Sequence, residues 1–266
     1  DLSLDKQFTT LSSPTGLVTD SVGNLILLNG NSRIVRLSGV NTLPEVIGSG
    51  SFSRIAQETA QTVLVSNQTT VQRFNLATGA VTPLVSGMLN NYGAVRRTDG
   101  SIVTIDSGRN EMSFYTATGV LSDRFVGLVN PKGLLFDAGG NLVVVNGSPN
   151  GLSKVRTDGR VESFSSVTGI TYLALETNGN ILAGRSGDIV TLSASGVQQT
   201  TIPSSSAYGL ARTPDGTLMV ASFADGALLR YAPDGSYTKV ASGLSNARDV
   251  EMGPNGSPYV SDYTRE

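Results

Sequence analysis

Histidine, cysteine and tryptophan are absent from this 266-residue chain, and each absence removes a class of chemistry. Without His or Cys no Ser-His or Cys-His nucleophile pair can form, and zinc motifs, a nucleophile elbow and a P-loop are all missing. Without Cys no disulfide staples the core, so packing and hydrogen bonds must hold it. Charge is sparse as well: 15% of residues are charged, and the 21 acidic and 19 basic side chains leave a formal charge of -2. No basic field exists to hold a phosphate backbone, so nucleic acid is not an expected partner. No apolar run approaches the roughly 18 residues that a membrane helix needs, so no membrane span is expected.

What is present points to short strands and many turns. Glycine is abundant at 31 residues, and the core must come from Val, Ile and Leu. Ser, Thr, Asn and Gly are frequent and Lys is scarce, and the sequence begins at Asp1. These features suggest a mature bacterial chain that is secreted or periplasmic.

A repeat runs through the sequence. Equivalent anchor positions fall at Gly16, Arg54, Gly93, Gly133, Tyr172, Gly209 and Asp249, in steps of 37 to 40 residues. One residue after each anchor stand Leu17, Ile55, Ala94, Leu134, Leu173, Leu210 and Val250, apolar in every copy, as the innermost strand of a blade requires. Seven residues after the anchor come Gly23, Gln61, Gly100, Gly140, Gly179, Gly216 and Gly256, a hairpin turn with φ > 0. The apolar runs that follow, such as Leu25 to Leu28 and Leu142 to Val145, read as second strands buried on both faces. A third strand, a second turn signal such as Asp158-Gly159 or Asp234-Gly235, and a fourth strand complete each copy.

Four strands per repeat make one propeller blade. The expectation is therefore an all-β, seven-bladed β-propeller of about 39-residue repeats, a single monomeric domain spanning residues 1–266. Its last blade would be closed by the chain's two ends, with Lys6 to Leu11 as the outer strand, since an open ring exposes strand edges. A six-bladed arrangement with a seventh half-blade is the alternative, because little chain follows Asp249.

The unit Gly-x-x-x-Asp...Gly-Asn-Leu-x-x-x-(Asn/Asp)...Arg-Ile is displayed best by Gly16 to Val35, Ile102 to Arg109 and Gly209 to Tyr231. It resembles the NHL repeat and the wider group of NHL, SMP-30/gluconolactonase-like and streptogramin (virginiamycin B) lyase-like propellers. The resemblance covers nearly the whole chain and implies the fold but no single activity, since such propellers include lactonases, lyases and protein-binding modules. Streptogramin lyases use a histidine as general base, which this chain cannot supply. The gluconolactonase-like enzymes hold a divalent metal with Glu, Asn and Asp, the Glu lying in a Glu-Gly-Pro-like opening before the first blade. Here that opening is Ser12-Ser13-Pro14-Thr15-Gly16, with no Glu.

Two columns of the repeat are expected to surround one mouth of the central channel. Where the second strand ends stand Asn29, Asn67, Asp106, Asn146, Arg185, Ser222 and Asp262. Where the innermost strand begins stand Thr15, Ser53, Tyr92, Lys132, Thr171, Tyr208 and Arg248. The first column also reads as Asx turns, in which Asn and Asp bond their own backbone. In the second, Tyr92, Tyr208 and Arg248, with Lys132 and the anchors Arg54 and Tyr172, place large polar-tipped groups where other copies have Gly or Thr. Channel plugging and surface solvation are the plainer account of these groups.

No cofactor is expected. The alternative is a divalent cation such as calcium on Asp106 and Asp262 with nearby Asn amides. The cations Arg54, Lys132, Arg185 and Arg248 instead favour an anionic or sugar-like ligand. The resulting expectation is a non-enzymatic binding or scaffold propeller that holds a small molecule, glycan, peptide or protein at this mouth. A lactonase- or lyase-like enzyme with its active site in the same place is the alternative.

Overall fold

The computed structural model describes residues 11, 14–30, 33–39, 42–147, 149–176, 178–213, 215–232, 234–253 and 256–263. Every regular element among them is a β-strand. The first sheet is β1 (Pro14–Thr19), β2 (Leu25–Asn29), β3 (Arg33–Leu37) and β4 (Glu45–Ser49). The second is β5 (Arg54–Gln57), β6 (Thr62–Ser66), β7 (Val71–Asn75) and β8 (Val81–Val85). The third is β9 (Asn91–Arg96), β10 (Ile102–Asp106), β11 (Glu111–Tyr115) and β12 (Leu121–Val126). The fourth is β13 (Gly133–Phe136), β14 (Leu142–Val145), β15 (Leu152–Val155) and β16 (Val161–Ser165). The fifth is β17 (Ile170–Leu175), β18 (Ile181–Arg185), β19 (Asp188–Leu192) and β20 (Gln198–Pro203). The sixth is β21 (Ala207–Arg212), β22 (Leu218–Ser222), β23 (Ala227–Tyr231) and β24 (Tyr237–Ser242). A final pair, β25 (Ala247–Met252) and β26 (Pro258–Asp262), ends the described chain.

Each of the six sheets keeps its strands in chain order, as an up-and-down blade does. The structure therefore has six blades, which corrects the expectation of seven. Among the described residues the seventh repeat yields only the two-stranded sheet β25–β26. Every other copy adds a third and a fourth strand to this pair. The strand expected to close this sheet, Lys6 to Leu11, lies outside the described residues except for Leu11, as do Ser12 and Ser13 of the opening before β1.

The turn column behaves as its composition requires. Gly23, Gly100, Gly140, Gly179, Gly216 and Gly256 all have φ between 76° and 88°. Each donates its N–H to the carbonyl three residues earlier, as Gly140 does to Asp137 at 3.0 Å. Side chains other than Gly or Asn are strained in this region, so the glycines fix where β1-type strands turn into β2-type strands. At Gln61 the turn is made instead by Thr59, whose N–H reaches the Thr62 carbonyl at 3.0 Å.

Burial follows strand position. Every residue of β2, β10, β14 and β22 is buried, while the outer strands β12, β20 and β24 are mostly exposed. A strand sandwiched between neighbouring sheets has no polar face, which explains the unbroken Val, Ile and Leu of the second strands.

The chain divides into two compact units, one of residues 1–53, 184–189 and 201–266 and the other of residues 54–183 and 190–200. In the first, β25 contacts both β21 and β1. Leu17, Leu25, Leu27, Val35 and Leu37 form one cluster there, joined by Leu11 and Tyr259, and Met219, Ala221, Leu228, Ala247 and Val250 form another. In the second unit the corresponding layers are built around Val103, Ile105 and Val144, and around Ile181, Val190 and Leu192.

Candidate functional site

At the start of four inner strands the ladder skips one residue. Ala207 pairs with Ser222 and Gly209 with Ala221, so Tyr208 is the extra residue of a β-bulge. Likewise Ala247 pairs with Asp262 and Asp249 with Ser261 around Arg248, and Asn91 with Asp106 and Gly93 with Ile105 around Tyr92. The same irregularity falls at Thr15. A bulge breaks the alternation of a strand and re-aims the side chain at the extra position. Four members of the column preceding the anchors are thus bulged residues, which a period of two along the strand does not predict. Arg54 stands instead in regular ladder opposite Ser66, and Lys132 lies exposed just before β13, its N–H on the Val145 carbonyl at 2.9 Å.

In the first unit the bulges assemble a cation among aromatic rings. A Cβ on Gly209 would lie 2.7 Å from Asp249 Cα and from Val250 N, so only glycine lets β21 and β25 approach this closely. The approach sets the Arg248 guanidinium 5.2 Å from the Tyr208 ring centre, 5.8 Å from Phe223 and 5.2 Å from Tyr263. All three distances are within cation–π range. Tyr208 and Phe223 themselves contact at 5.5 Å with their planes at 48°. Arg248 Nε donates to Asn246 Oδ1 at 2.8 Å. Asn246 is buried and held in turn, its N–H on Asp262 Oδ1 at 2.7 Å and its carbonyl accepting the Tyr263 N–H at 3.1 Å. Among the described residues no carboxylate forms an ion pair with Arg248.

The second unit holds a smaller version. The Arg54 guanidinium lies 4.6 Å from the Tyr92 ring centre and donates to the Asn91 carbonyl at 3.2 Å. Burial pulls the Arg54 pKa below its ordinary value, and the Tyr92 hydroxyl opposes that pull. Tyr172 is half-buried and Thr171 exposed at the start of β17.

The column at the end of the second strands performs a structural task. Asp106 is 2% exposed and accepts N–H bonds from Leu89 and Asn90, both at 2.9 Å, and from Gly108 at 3.0 Å, with Arg109 Nη1 at 3.0 Å. Burial would raise its pKa, but these donors outweigh burial and hold it below the usual carboxylate range. Asp262 repeats the arrangement, accepting from Ser245 N at 2.8 Å and Asn246 N at 2.7 Å. Asn146 accepts from Val129 N at 3.2 Å and donates to Ser153 Oγ at 2.9 Å. These side chains tie down the loop entering their own blade's inner strand. Asn67 makes the Asx turn anticipated for this column, accepting from Thr69 N and Thr70 N at 2.9 Å. Arg185 is paired with Asp188 through two 2.5 Å bonds, Ser222 Oγ donates to Asp225 Oδ2 at 2.6 Å, and Asn29 is buried at the end of β2. Asp106 belongs to the second unit and Asp262 to the first, and among the described residues no three His, Cys, Asp or Glu side chains gather as a cation site.

Phe223, Tyr263 and Asn246 were missed by the column reading. For the two rings the signal lies one position further on: fourteen residues after the anchor the other copies have Gly30, Gln68, Ser107, Gly147 and Ser186, and only Phe223 and Tyr263 are aromatic.

No family model and no curated protein matches the chain. Solved structures do. A catalytically inactive histidine-to-alanine variant of virginiamycin B lyase from Staphylococcus aureus, solved with quinupristin, superposes with a TM-score of 0.80 at 11% identity, over 98% of this chain and 95% of that one. The WD40 β-propeller domain of Doa1 gives 0.76 at 14% identity, over 95% and 90%. A structure named as the extracellular domain of a hybrid two component system from B. thetaiotaomicron gives 0.77 at 13% identity, over 94% of this chain and 39% of that one. These likenesses show that the chain is a β-propeller. No helix among the described residues is long and apolar enough to cross a membrane.

Proposed function

We propose that this chain is a binding propeller, without catalytic machinery of its own, that holds an anionic, sugar-like or peptide ligand at the blade ends where the inner strands begin. The observation that carries this reading is Arg248, ringed by Tyr208, Phe223 and Tyr263 with no carboxylate partner among the described residues. Arg185, by contrast, has its guanidinium taken up by Asp188. Arg54 on Tyr92 and the exposed Lys132 extend the same character in the second unit. The NHL-like repeat pattern fits this role, since propellers of that pattern include binding modules. The backbone donors on Asp106 and Asp262 favour a structural task for both over calcium binding. Export fits the Lys-poor composition and the likeness to an extracellular domain.

A lyase-like activity is the weaker reading. The lyase structure named above is inactive with its histidine changed to alanine, and this chain has no histidine. The deciding experiment is a screen of the purified chain against glycan and peptide arrays beside a chelator-controlled assay on lactone and streptogramin substrates. Array ligands lost in Tyr208→Ala support binding; turnover of any substrate, abolished by chelator or by Asp106→Ala, overturns it.

A further inference from the structure

We propose that Arg248 receives the carboxylate of a hexuronate, so that the ligand of the first unit is an acidic sugar chain stacked on Phe223; this rests on the binding reading above.

The guanidinium is preorganised for a planar anion. Its Nε is committed to Asn246 Oδ1, and Asn246 is fixed at both its N–H and its carbonyl. The rings of Tyr208, Phe223 and Tyr263 hold the group from the sides. Among the described residues Nη1 and Nη2 make no hydrogen bond, and their parallel N–H bonds match the two oxygens of a carboxylate. A single carboxylate also suits the surroundings better than a phosphate. Asp262 accepts from the same Asn246, and Asp225, two residues from Phe223, lies 3.9 Å from Lys239, so the site has carboxylates of its own. A doubly charged group would be repelled by them.

The body of the ligand is read from what surrounds the cation. Phe223 is 40% exposed, a large apolar face left open beside a charge. The neighbouring groups are instead polar: Ser205 and Ser222 both donate to Asp225, whose carboxylate they hold below its usual pKa and therefore ionised as an acceptor. A sugar ring uses such a surface well, laying its C–H face on Phe223 while its hydroxyls reach Asp225 and the tyrosine hydroxyls.

The test is calorimetric titration of the full chain with galacturonate and glucuronate trimers, their methyl esters, the matching neutral trimers, galactose 6-phosphate and N-acetylphenylalanine. The expected result is binding of a uronate trimer at least about tenfold tighter than its ester and neutral forms, as a lost bidentate charge contact implies. Arg248→Gln and Phe223→Ala should each weaken it about tenfold or more. Arg248→Lys keeps the charge without the fork and should lose most of the affinity, while a melting temperature close to the parent's shows that the variant is folded. Equal affinity for uronate and neutral trimers, undiminished binding by Arg248→Lys, or tighter binding of the phosphate or the aromatic acid overturns the proposal. If arrays return ligands that bind equally well to Arg248→Gln, only the uronate site falls; if they return none, the binding reading falls with it.

Discussion

Lys154 and Asp137 form an ion pair inside the fourth blade, Nζ to Oδ2 at 3.0 Å, with their side chains only 7% and 8% exposed. The same Nζ donates to the Ala194 carbonyl at 3.0 Å, in the turn after β19, and lies 4.2 Å from the Phe164 ring centre. The pair therefore links one blade to the next. The second blade repeats the device: Arg73 bonds the buried Glu58 and reaches the Ala117 carbonyl, in the turn after β11, at 2.9 Å. In both, the acid stands four residues after the anchor and the cation on the third strand.

Removing the acid should cost more than removing the cation. Asp137→Ala leaves a buried ammonium and strips the turn acceptor of Gly139 and Asn141, and should destabilise by about 3–5 kcal/mol. Lys154→Met leaves Asp137 with its neutral donors and should cost clearly less. Urea denaturation of both variants checks the order; equal losses would contradict it.

The pair also sets a pH dependence. Burial would raise Asp137, but the Asn141 hydrogen bonds and Lys154 outweigh it and hold the carboxyl below its usual range. A depressed folded pKa contributes stability that is complete above the unfolded value, near 4, and is lost as pH falls through the folded value. The urea midpoint of the parent should therefore fall below about pH 4, and that of Asp137→Asn should fall less steeply over the same range.

Asp106 is expected to act on a loop. Asp106→Ala leaves the Leu89 and Asn90 amides without their acceptor, at about 1–3 kcal/mol for such unsatisfied groups. Hydrogen exchange should speed up selectively at those two amides, while chelator leaves the melting temperature of the parent unchanged. A melting temperature that drops on chelation would instead place a cation at Asp106.

Two turn glycines separate conformational strain from collision. Gly216 has φ 85° and open space where a Cβ would be, so Gly216→Ala should cost only the strain of that backbone region, about 1 kcal/mol. Gly119 has φ 86°, but its Cβ would collide with the Leu84 carbonyl oxygen, so Gly119→Ala should cost more. Thermal melts of the two variants give the comparison.

Local chemistry was enough to read much of this protein from its sequence. Turn glycines at φ near 85°, second strands buried at every position and the blade unit of four strands all follow from patterns spanning fewer than 40 residues. Tertiary structure decided the rest. A repeat can be recognised from its first two strands, so Asp249 to Asp262 read as a seventh blade, although only the pairing of strands shows it, among the described residues, as a two-stranded sheet. Bulges exist only in the register between two strands, so the displacement of Tyr92, Tyr208 and Arg248 has no signature along one strand. The meeting of Arg248 with Phe223 and Tyr263 depends on how closely Gly209 lets β21 approach β25, a contact between separate repeats that no single repeat encodes.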